Sequence, residues 1–429
     1  MTNICSEKTY EKADEIRKNK LMLLFCFAIS VMLVGSLYFK YLAYIAFFSS
    51  ILIICFSNTN HIFGFLLFLF PFALIFKTSP DSTSLFTFLE LFAICVLLVR
   101  RKTINVGVFS FTVLLFLVCI LSFSNLLEII KLLLIVTLYF LFTENYKQED
   151  TRLYLSFAVL GLLISTFLGF FKEEIPRFLS FYSDLNCEWI GGEKTIRFSG
   201  IFNDPNYFSI AVIQILIISI LFLFQEGKKK LLLFTTSVLL VCGLLTISKS
   251  FYLMLFAILC VILLGNMKKH FLPVLILISA LIVIVIYNPG GVFDQILYRF
   301  DSYDIGTGRT EIWYGYIDVI KSSLKNMLVG AGLGAPYVVK AAHSIYIETL
   351  YYIGTIGFII YTITLTFISC YKKIKFRRKL VNYLGFICLA IQYAFLCGIT
   401  GYEIAFYLMI SYMIFNYDWS KIRNKTTMR

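Results

Sequence analysis

The sequence of 429 residues is strongly apolar, since 59% of its residues are hydrophobic, 17% are aromatic and only 15% are charged. Soluble globular chains carry about a quarter charged residues, so this composition excludes a large water-soluble protein and indicates a protein built for lipid. The net charge of +13 would suit nucleic acid, but Lys and Arg also collect in the cytoplasmic loops of membrane proteins. The positive charge therefore has to be compared with a membrane topology before it is taken to indicate nucleic acid.

About fourteen apolar runs are long enough to cross a hydrocarbon core of about 30 Å as helices. They lie near 21–39, 41–57, 61–77, 82–99, 105–123, 126–143, 153–171, 208–224, 231–247, 251–266, 271–287, 345–369, 380–398 and 402–417. The predicted fold class is an all-α, polytopic transmembrane helix bundle of about 12 to 14 spans, within one integral membrane domain covering 1–429. The linker at 57–60 carries no charge, so a re-entrant pair at 41–57 and 61–77 is an alternative.

The basic clusters orient these spans. If residues 1–20 are cytoplasmic, about 25 of the 38 Lys and Arg residues fall inside and about 12 outside. The inner clusters lie at 100–102, 228–230, 268–269, 372–379 and 421–429. Both termini, 1–20 and 418–429, are therefore predicted to be cytoplasmic. Because the topology explains most of the positive charge, no nucleic-acid partner is expected.

Two predicted outer loops, 172–207 and 288–343, are too long to be hairpin turns, and loops of that length are usually functional or disordered. Aromatic residues in both loops argue against disorder. The second loop predicts an amphipathic helix that lies on the membrane or over the bundle and covers a cavity. The apolar face of this helix comprises Ile312, Trp313, Tyr316, Ile320, Leu324 and Leu328.

His343 is the only histidine on the predicted outer side, since His61 and His270 fall at inner ends of spans. It precedes Ser344, a suitable N-cap for the helix that starts at Ile345. An imidazole at this position would serve as a general base near neutral pH. The alternative is an interfacial histidine that only forms local hydrogen bonds.

Three outward cations accompany this histidine. Arg309 follows glycines at 306 and 308, and its guanidinium suits the oxygens of a diphosphate. Lys249 lies in a short connection between two spans, and Arg197 lies shortly before the Asp204-Pro205-Asn206 turn that starts the next helix. The alternative for each cation is snorkelling of a long side chain to the interface.

Other ionisable residues suggest structural roles, and their spacing does not suggest a metal site. Glu128 and Lys131 have the i,i+3 spacing of an ion pair inside an apolar run. The sequence contains no cluster of outer His, Asp or Glu at the spacing of metal ligands and no nucleotide-binding fingerprint, so no metal and no cofactor are expected.

Several motifs in one order resemble the O-antigen ligase and O-antigen polymerase superfamily. They are 197–206 (RFSGIFNDPN), 248–250 (SKS), 308–313 (GRTEIW), 330–334 (GAGLG), 343–348 (HSIYIE) and 354–357 (GTIG). The resemblance covers roughly 171–369. It departs at Lys249, where the family often has Arg, and at Ser344, where it often has Asn. Lys keeps the charge but loses the bidentate fork, and Ser keeps the capping ability.

The resemblance implies an inverting, metal-independent glycosyltransferase of polysaccharide and lipopolysaccharide biosynthesis. Its site would lie on the periplasmic (outer) face of a bacterial inner (plasma) membrane, and its donor would be an oligosaccharide linked to undecaprenyl diphosphate. His343 would activate the acceptor and Arg309 would hold the diphosphate. The diphosphate and saccharide would also contact Arg197, Lys249, Asp204, Asn206, Tyr346 and Glu348. Membrane lipid and a chain-length regulator complete the partners that the resemblance suggests.

Three activities agree with this pattern. A polymerase, favoured because the long aromatic first loop suits a growing chain, extends another lipid-linked saccharide. A ligase transfers the glycan to lipid A core or another acceptor. A lipid-linked oligosaccharide flippase is the alternative of a different class, but transporters place charges at the midplane of paired halves, whereas these motifs gather in outer loops after the midpoint of the chain.

Overall fold

The computed structural model describes residues 2–79, 82–101, 105–122, 124–172, 174–175, 187–190, 193–225, 227–264, 309–370, 372, 379–396 and 398–418, and residues 286, 294 and 297 singly. This part of the chain is helical apart from one small antiparallel ribbon, so the all-α prediction is confirmed. The helices are α1 (Thr2–Ser36), α2 (Tyr41–Phe56), α3 (Thr59–Leu69), α4 (Leu85–Val99), α5 (Val106–Leu121), α6 (Leu126–Asn145), α7 (Thr151–Gly169), α8 (Pro205–Gln225), α9 (Lys229–Leu244), α10 (Lys249–Leu264), α11 (Arg309–Lys321), α12 (Leu324–Leu328), α13 (Ile345–Cys370), α14 (Leu384–Tyr393) and α15 (Glu403–Phe415). The ribbon pairs β1 (Cys187–Ile190) with β2 (Glu193–Ile196), a feature that the sequence did not predict.

Most of the predicted spans coincide with helices, and the span at 271–287 lies outside the described residues apart from residue 286. Among the described residues, five helical segments are long and apolar enough to cross a membrane: Arg17–Ser36, Leu126–Asn145, Gln148–Gly169, Pro205–Leu223 and Ile345–Cys370. The same part of the chain has eight further apolar helices of 10 to 17 residues. The span predicted at 61–77 is wrong in length. Helix α3 ends at Leu69 and a 3-10 turn containing Pro71 follows, because proline lacks the N–H that the helix needs.

The contacts within the chain group it into two compact units, where the sequence predicted one domain. The first unit comprises Met1–Arg100 and Glu149–Ser183 and contains α1 to α4 and α7. Its predicted inner helix ends meet: the His61 ring is 2.7 Å from Asn19 Oδ1, and Arg100 donates to Cys55 O at 2.7 Å. These contacts bring the middle of α1, near the start of its apolar segment at Arg17, beside the start of α3, and the end of α2 beside the end of α4.

The second unit comprises Arg101–Gln148 and Asp184–Arg429. Its centre is α15, whose residues are buried along the whole helix and which packs against α6, α8 and α14. Gln214 on α8 donates to Tyr407 O at 3.1 Å and to Ser411 Oγ at 2.8 Å. Asn382 donates to Phe415 O at 3.1 Å and to Tyr417 O at 2.8 Å. The Asn382 amide thus supplies a partner for backbone carbonyls at the end of α15, which lack intrahelical bonds.

Helix α13 is interrupted at Gly354, which has φ 64° and ψ −176°, a backbone region that only glycine readily adopts. Beside the break, the Tyr351 and Tyr352 carbonyls accept hydrogen bonds from the Ala331 and Gly332 amides at 2.8 and 2.9 Å. The glycine-rich turn at 330–334 is therefore hydrogen-bonded to α13 beside the break in that helix. The same turn bonds the α5–α6 connection, since Leu333 N donates to Ser124 Oγ at 2.7 Å.

The amphipathic helix of the second loop exists but is shorter than predicted. Helix α11 ends at Lys321, and Ser323 accepts a hydrogen bond from Asn326 N at 3.1 Å and so caps the separate helix α12. Tyr316 is fully buried, whereas Leu324 is 67% exposed. The prediction of one continuous apolar face is therefore wrong beyond Lys321, because α11 ends there and the cap at Ser323 starts a separate helix.

We expect Gly354→Ala to destabilise the protein by about 2 kcal/mol or more, since a side chain at this backbone conformation is strained. An added Cβ would also lie 2.4 Å from the Leu328 backbone. Gly315→Ala in α11 is the matched control. The Cβ added there would meet only side-chain atoms at 3.7 Å, and alanine is the better helix former. Thermal unfolding of both purified variants in detergent measures the difference, and equal midpoints would contradict the assigned role of the break.

Candidate functional site

The motif around Arg197 lies against the connection between α9 and α10. The buried Arg197 donates from Nε to Thr246 O at 3.0 Å, and Phe198 N donates to Leu245 O at 3.1 Å. Ser248 donates from Oγ to Asn206 Oδ1 at 2.6 Å. Two motifs that are some 40 residues apart in the sequence thus share one buried hydrogen-bond network.

Asp204 and Asn206 also determine how α8 begins. Asn206 N donates to Asp204 Oδ1 at 2.6 Å, which makes Asp204 the N-terminal cap of the helix that starts at Pro205. The predicted turn is confirmed. The Asn206 carbonyl accepts from Gln392 Nε2 at 2.8 Å, so this turn is also bonded to α14.

Ile247 adopts a left-handed backbone conformation, with φ 47°. A β-branched residue at positive φ is a genuine outlier, and such strain concentrates at functional sites. Ile247 precedes Ser248 and the first residue of α10, Lys249, which is half-buried. The strained turn thus fixes the direction from which the Lys249 side chain leaves the backbone.

Arg309 is the first residue of α11, whereas the sequence placed it just ahead of the amphipathic helix. Its guanidinium carbon lies 5.6 Å from the centroid of the Phe395 ring, just beyond the end of α14. The glycines of the proposed cradle, at 306 and 308, lie outside the described residues. Arg309 therefore combines an aromatic contact with a place beside the first amides of a helix, which favour an anion.

Helix α11 is bonded to the segment that leads to His343. Trp313 donates from Nε1 to Ala342 O at 2.8 Å, and Tyr316 donates from its hydroxyl to Lys340 O at 2.8 Å. The Tyr316 ring also packs edge-on against Tyr351, with centroids 5.0 Å apart. The helix predicted to lie over the site thus holds the backbone next to His343 in place.

His343 is the second non-glycine residue with positive φ in the described chain, at 50°. Burial lowers the pKa of its imidazole below the ordinary 6.5, the nearby Arg309 charge lowers this pKa further, and Asp204 opposes both effects. The imidazole is therefore largely neutral at neutral pH, the form that a general base requires. The same electrostatic coupling places Asp204, Arg309 and His343 in one neighbourhood.

The helix after His343 begins as predicted, since Glu348 N donates to Ser344 O at 3.0 Å. Tyr346 donates from its hydroxyl to Ala390 O at 2.9 Å, which directs it toward α14. Glu348 is 1% exposed and accepts a hydrogen bond from Gly398 N at 2.5 Å. Tyr346 and Glu348 thus bond to two different segments near the carboxyl end of the chain.

Sequence reasoning missed the part of the site that lies beyond the range of the motifs, at 392–400. Gln392 binds the α8 start, Phe395 contacts Arg309, and Gly398 binds Glu348. A polar Gln within an apolar run was the available signal, because polar groups inside membrane segments are costly and usually functional.

His61 hydrogen-bonds Asn58 and Asn19, and His270 lies outside the described residues. Within the described ranges, no group of three or more His, Cys, Asp or Glu could hold a metal ion.

We expect the apparent pKa of the His343 imidazole to lie below 6.5 in the purified protein. Arg309→Gln should raise this pKa because it removes a nearby positive charge, and Asp204→Asn should lower it because it removes a negative one. The pH dependence of diethyl pyrocarbonate modification, which attacks the neutral imidazole, measures this pKa when the His343 peptide is followed by mass spectrometry. Shifts of the opposite sign would contradict the proximity of the three side chains.

Comparison with protein-family models, curated proteins and solved structures found no match for this chain. The function proposed below therefore rests on the sequence motifs and on the geometry of these residues.

Proposed function

We propose that the protein is an inverting glycosyltransferase that uses a saccharide linked to undecaprenyl diphosphate, and that it polymerises a surface polysaccharide of the O-antigen type. The observation that carries the proposal is the grouping of a neutral histidine with a helix-start arginine and the Asp204-Pro205-Asn206 turn. A metal-independent glycosyl transfer from a diphosphate donor requires a base for the acceptor and a cation for the leaving group.

In the proposed reaction, an acceptor hydroxyl attacks the anomeric carbon on the face opposite the diphosphate. His343 takes the hydroxyl proton while the bond between the anomeric carbon and the diphosphate oxygen breaks. Negative charge then develops on the leaving diphosphate, and Arg309, with Lys249 and Arg197, stabilises it. A preorganised donor of this kind lowers the activation barrier by about 2.7–4 kcal/mol. The effect is large because apolar surroundings weaken the competition from water.

Arg197 supports the proposal in a second way. It is buried, and its Nε bonds the turn that precedes Lys249. A buried arginine keeps its charge, since its guanidinium does not lose a proton in proteins. It therefore contributes positive potential to the site and also positions the turn that carries the second cation.

Incubation of the purified protein with lipid-linked repeat units of the source strain, in EDTA, tests the proposal. We expect a ladder of extended lipid-linked products without added metal, resolved by gel electrophoresis or mass spectrometry. With lipid A core added, a capped core in place of a ladder would assign the ligase reaction instead. If only movement of the intact donor between the leaflets of proteoliposomes occurs, the protein is a flippase and not a transferase.

We expect His343→Asn to lower turnover by about a hundredfold or more, the usual contribution of a positioned base. Asparagine tolerates the left-handed backbone better than alanine, so this variant removes the base without adding backbone strain. His343→Ala combines both effects and should also lower the thermal unfolding midpoint. Near-parental turnover of His343→Asn, at equal amounts of folded protein, would show that another group takes the proton.

A further inference from the structure

A groove of about 770 Å³ runs between α1 and α2 in the first unit, and none of its residues belongs to the motifs described above. Its lining extends along α1 from Lys18 to Met32, which is about 21 Å along the helix axis, and it reaches the start of α3 at His61. One leaflet contributes about half of a hydrocarbon core of about 30 Å. The α1–α2 groove is therefore long enough for one leaflet and its polar surface.

The α1–α2 groove has a buried floor and an exposed rim. Met22 and Ile29 form the floor and are almost fully buried, whereas Phe25 on α1 and Leu52 on α2 form part of the rim and are exposed. The exposed rim leaves the groove open along the side of the two helices. An apolar chain can therefore enter it directly from the bilayer.

The polar residues of the lining gather at one end of the groove. Lys18, Ser57, Asn58 and His61 lie there, and apart from Ser49 the rest of the lining is apolar. The contact between the His61 ring and α1 brings this end together, and it is the end predicted to be cytoplasmic. The lining thus changes from polar to apolar in the direction from the cytoplasmic surface into the membrane.

The polar end of the groove carries positive charge. Lys18 is exposed, and no acidic residue lines the groove in the described part of the chain. Arg100, also exposed, donates hydrogen bonds to two carbonyls at the end of α2, directly beside the lining. The acidic residues nearest in α1, at 14 and 15, come one turn earlier and farther from the apolar part. The polar end therefore favours an anionic group.

We propose that the α1–α2 groove binds an anionic glycerophospholipid of the cytoplasmic leaflet, with its phosphate beside Lys18 and its acyl chains along the apolar lining. Such a lipid joins an anionic head to apolar chains in the same order as the lining. The start of α3 adds the positive end of a helix dipole at the head. The groove lies outside 171–369, the range of the family resemblance, so the resemblance implies no ligand here.

The charge of the groove also argues against the other possible occupants. Every copy of this chain has the same orientation in the membrane, so a second copy would bring its own basic cluster against this one. A free phosphate would leave the long apolar lining unoccupied. A phospholipid satisfies both parts of the groove at once.

Native mass spectrometry of the delipidated full-length protein in detergent tests the proposal, because it resolves each bound lipid. The probes are phosphatidylglycerol and phosphatidylcholine with identical acyl chains. At about 0.15 M salt, exposed charges more than about 8 Å apart are largely screened. We expect the first phosphatidylglycerol to bind about fivefold or more tightly than the first phosphatidylcholine, the effect of one basic residue on an anionic lipid.

Lys18→Gln should weaken binding of the first phosphatidylglycerol by about fivefold and leave phosphatidylcholine unchanged. Lys20→Gln is the matched control, because Lys20 is exposed on the same helix and does not line the groove. It should bind both lipids like the parent.

Ala28→Phe should weaken binding of the first phosphatidylglycerol by about tenfold, since Ala28 is one of the small lining residues and a ring there occupies the space of the chains. Val31→Phe, at an exposed position on α1 outside the lining, is its control. If Ala28→Phe fails to fold, as judged by its thermal unfolding, Lys18→Gln at its exposed position still decides the result.

Equal affinities for the two lipids, or equal losses in Lys18→Gln and Lys20→Gln, would mean non-selective annular lipid and would overturn the proposal. Displacement of the lipid by glycerol phosphate without acyl chains would overturn it in favour of a soluble phosphate. A dimer that Ala28→Phe abolishes would assign the groove to a second copy instead. Since no lipid-linked saccharide enters the assay, its result does not depend on the proposed function.

Discussion

The need to bond every buried backbone carbonyl determines how the candidate site is built. At the Gly354 break in α13, the carbonyls of Tyr351 and Tyr352 accept hydrogen bonds from the glycine-rich turn. Lipid offers no alternative donors, so the turn and the helix are obligatory partners. Gly330 and Gly354 lie close together, since a Cβ added to Gly330 would lie 2.6 Å from Gly354 N. His343 lies in the segment between α12 and α13. The first residues of this segment are thus tethered to α13, the helix that begins directly after it.

This tether explains why a loop can hold a histidine in a strained conformation. A residue in the left-handed region costs about 1–3 kcal/mol and persists only where its surroundings over-determine it. The segment is bonded by Trp313 and Tyr316 on one side, and the helix start at Ile345 follows directly. The strain sets the direction of the imidazole relative to Arg309 and Asp204, and burial keeps the imidazole neutral despite the nearby carboxylate.

The sequence predicted most of the helices because each apolar run has the length that lipid requires. It also predicted the helix starts at Pro205 and Ile345, since capping and turn residues act locally. The contacts between distant segments could not be predicted from the sequence. Nothing in the sequence pairs Ser248 with Asn206, or Gln392 with the start of α8. The left-handed conformations of Ile247 and His343 were also hidden. A β-branched residue disfavours this conformation, and a histidine adopts it more readily than most residues but still uncommonly, so the tertiary structure imposes both. The short ribbon at 187–196 lacks the length and alternation that identify a strand.

Helix α15 has a consequence for how the protein is assembled during synthesis. Its residues are buried all round, and they pack against α6 and α8, which are synthesised far earlier. Domains generally form in the order of synthesis, so α6 and α8 must wait in the bilayer with apolar and amide-bearing faces turned to lipid. Gln214, which bonds Tyr407 and Ser411, spends that interval without its final partners. Helix α15, the last helix among the described residues, thus displaces lipid from the interior of the second unit and completes its core.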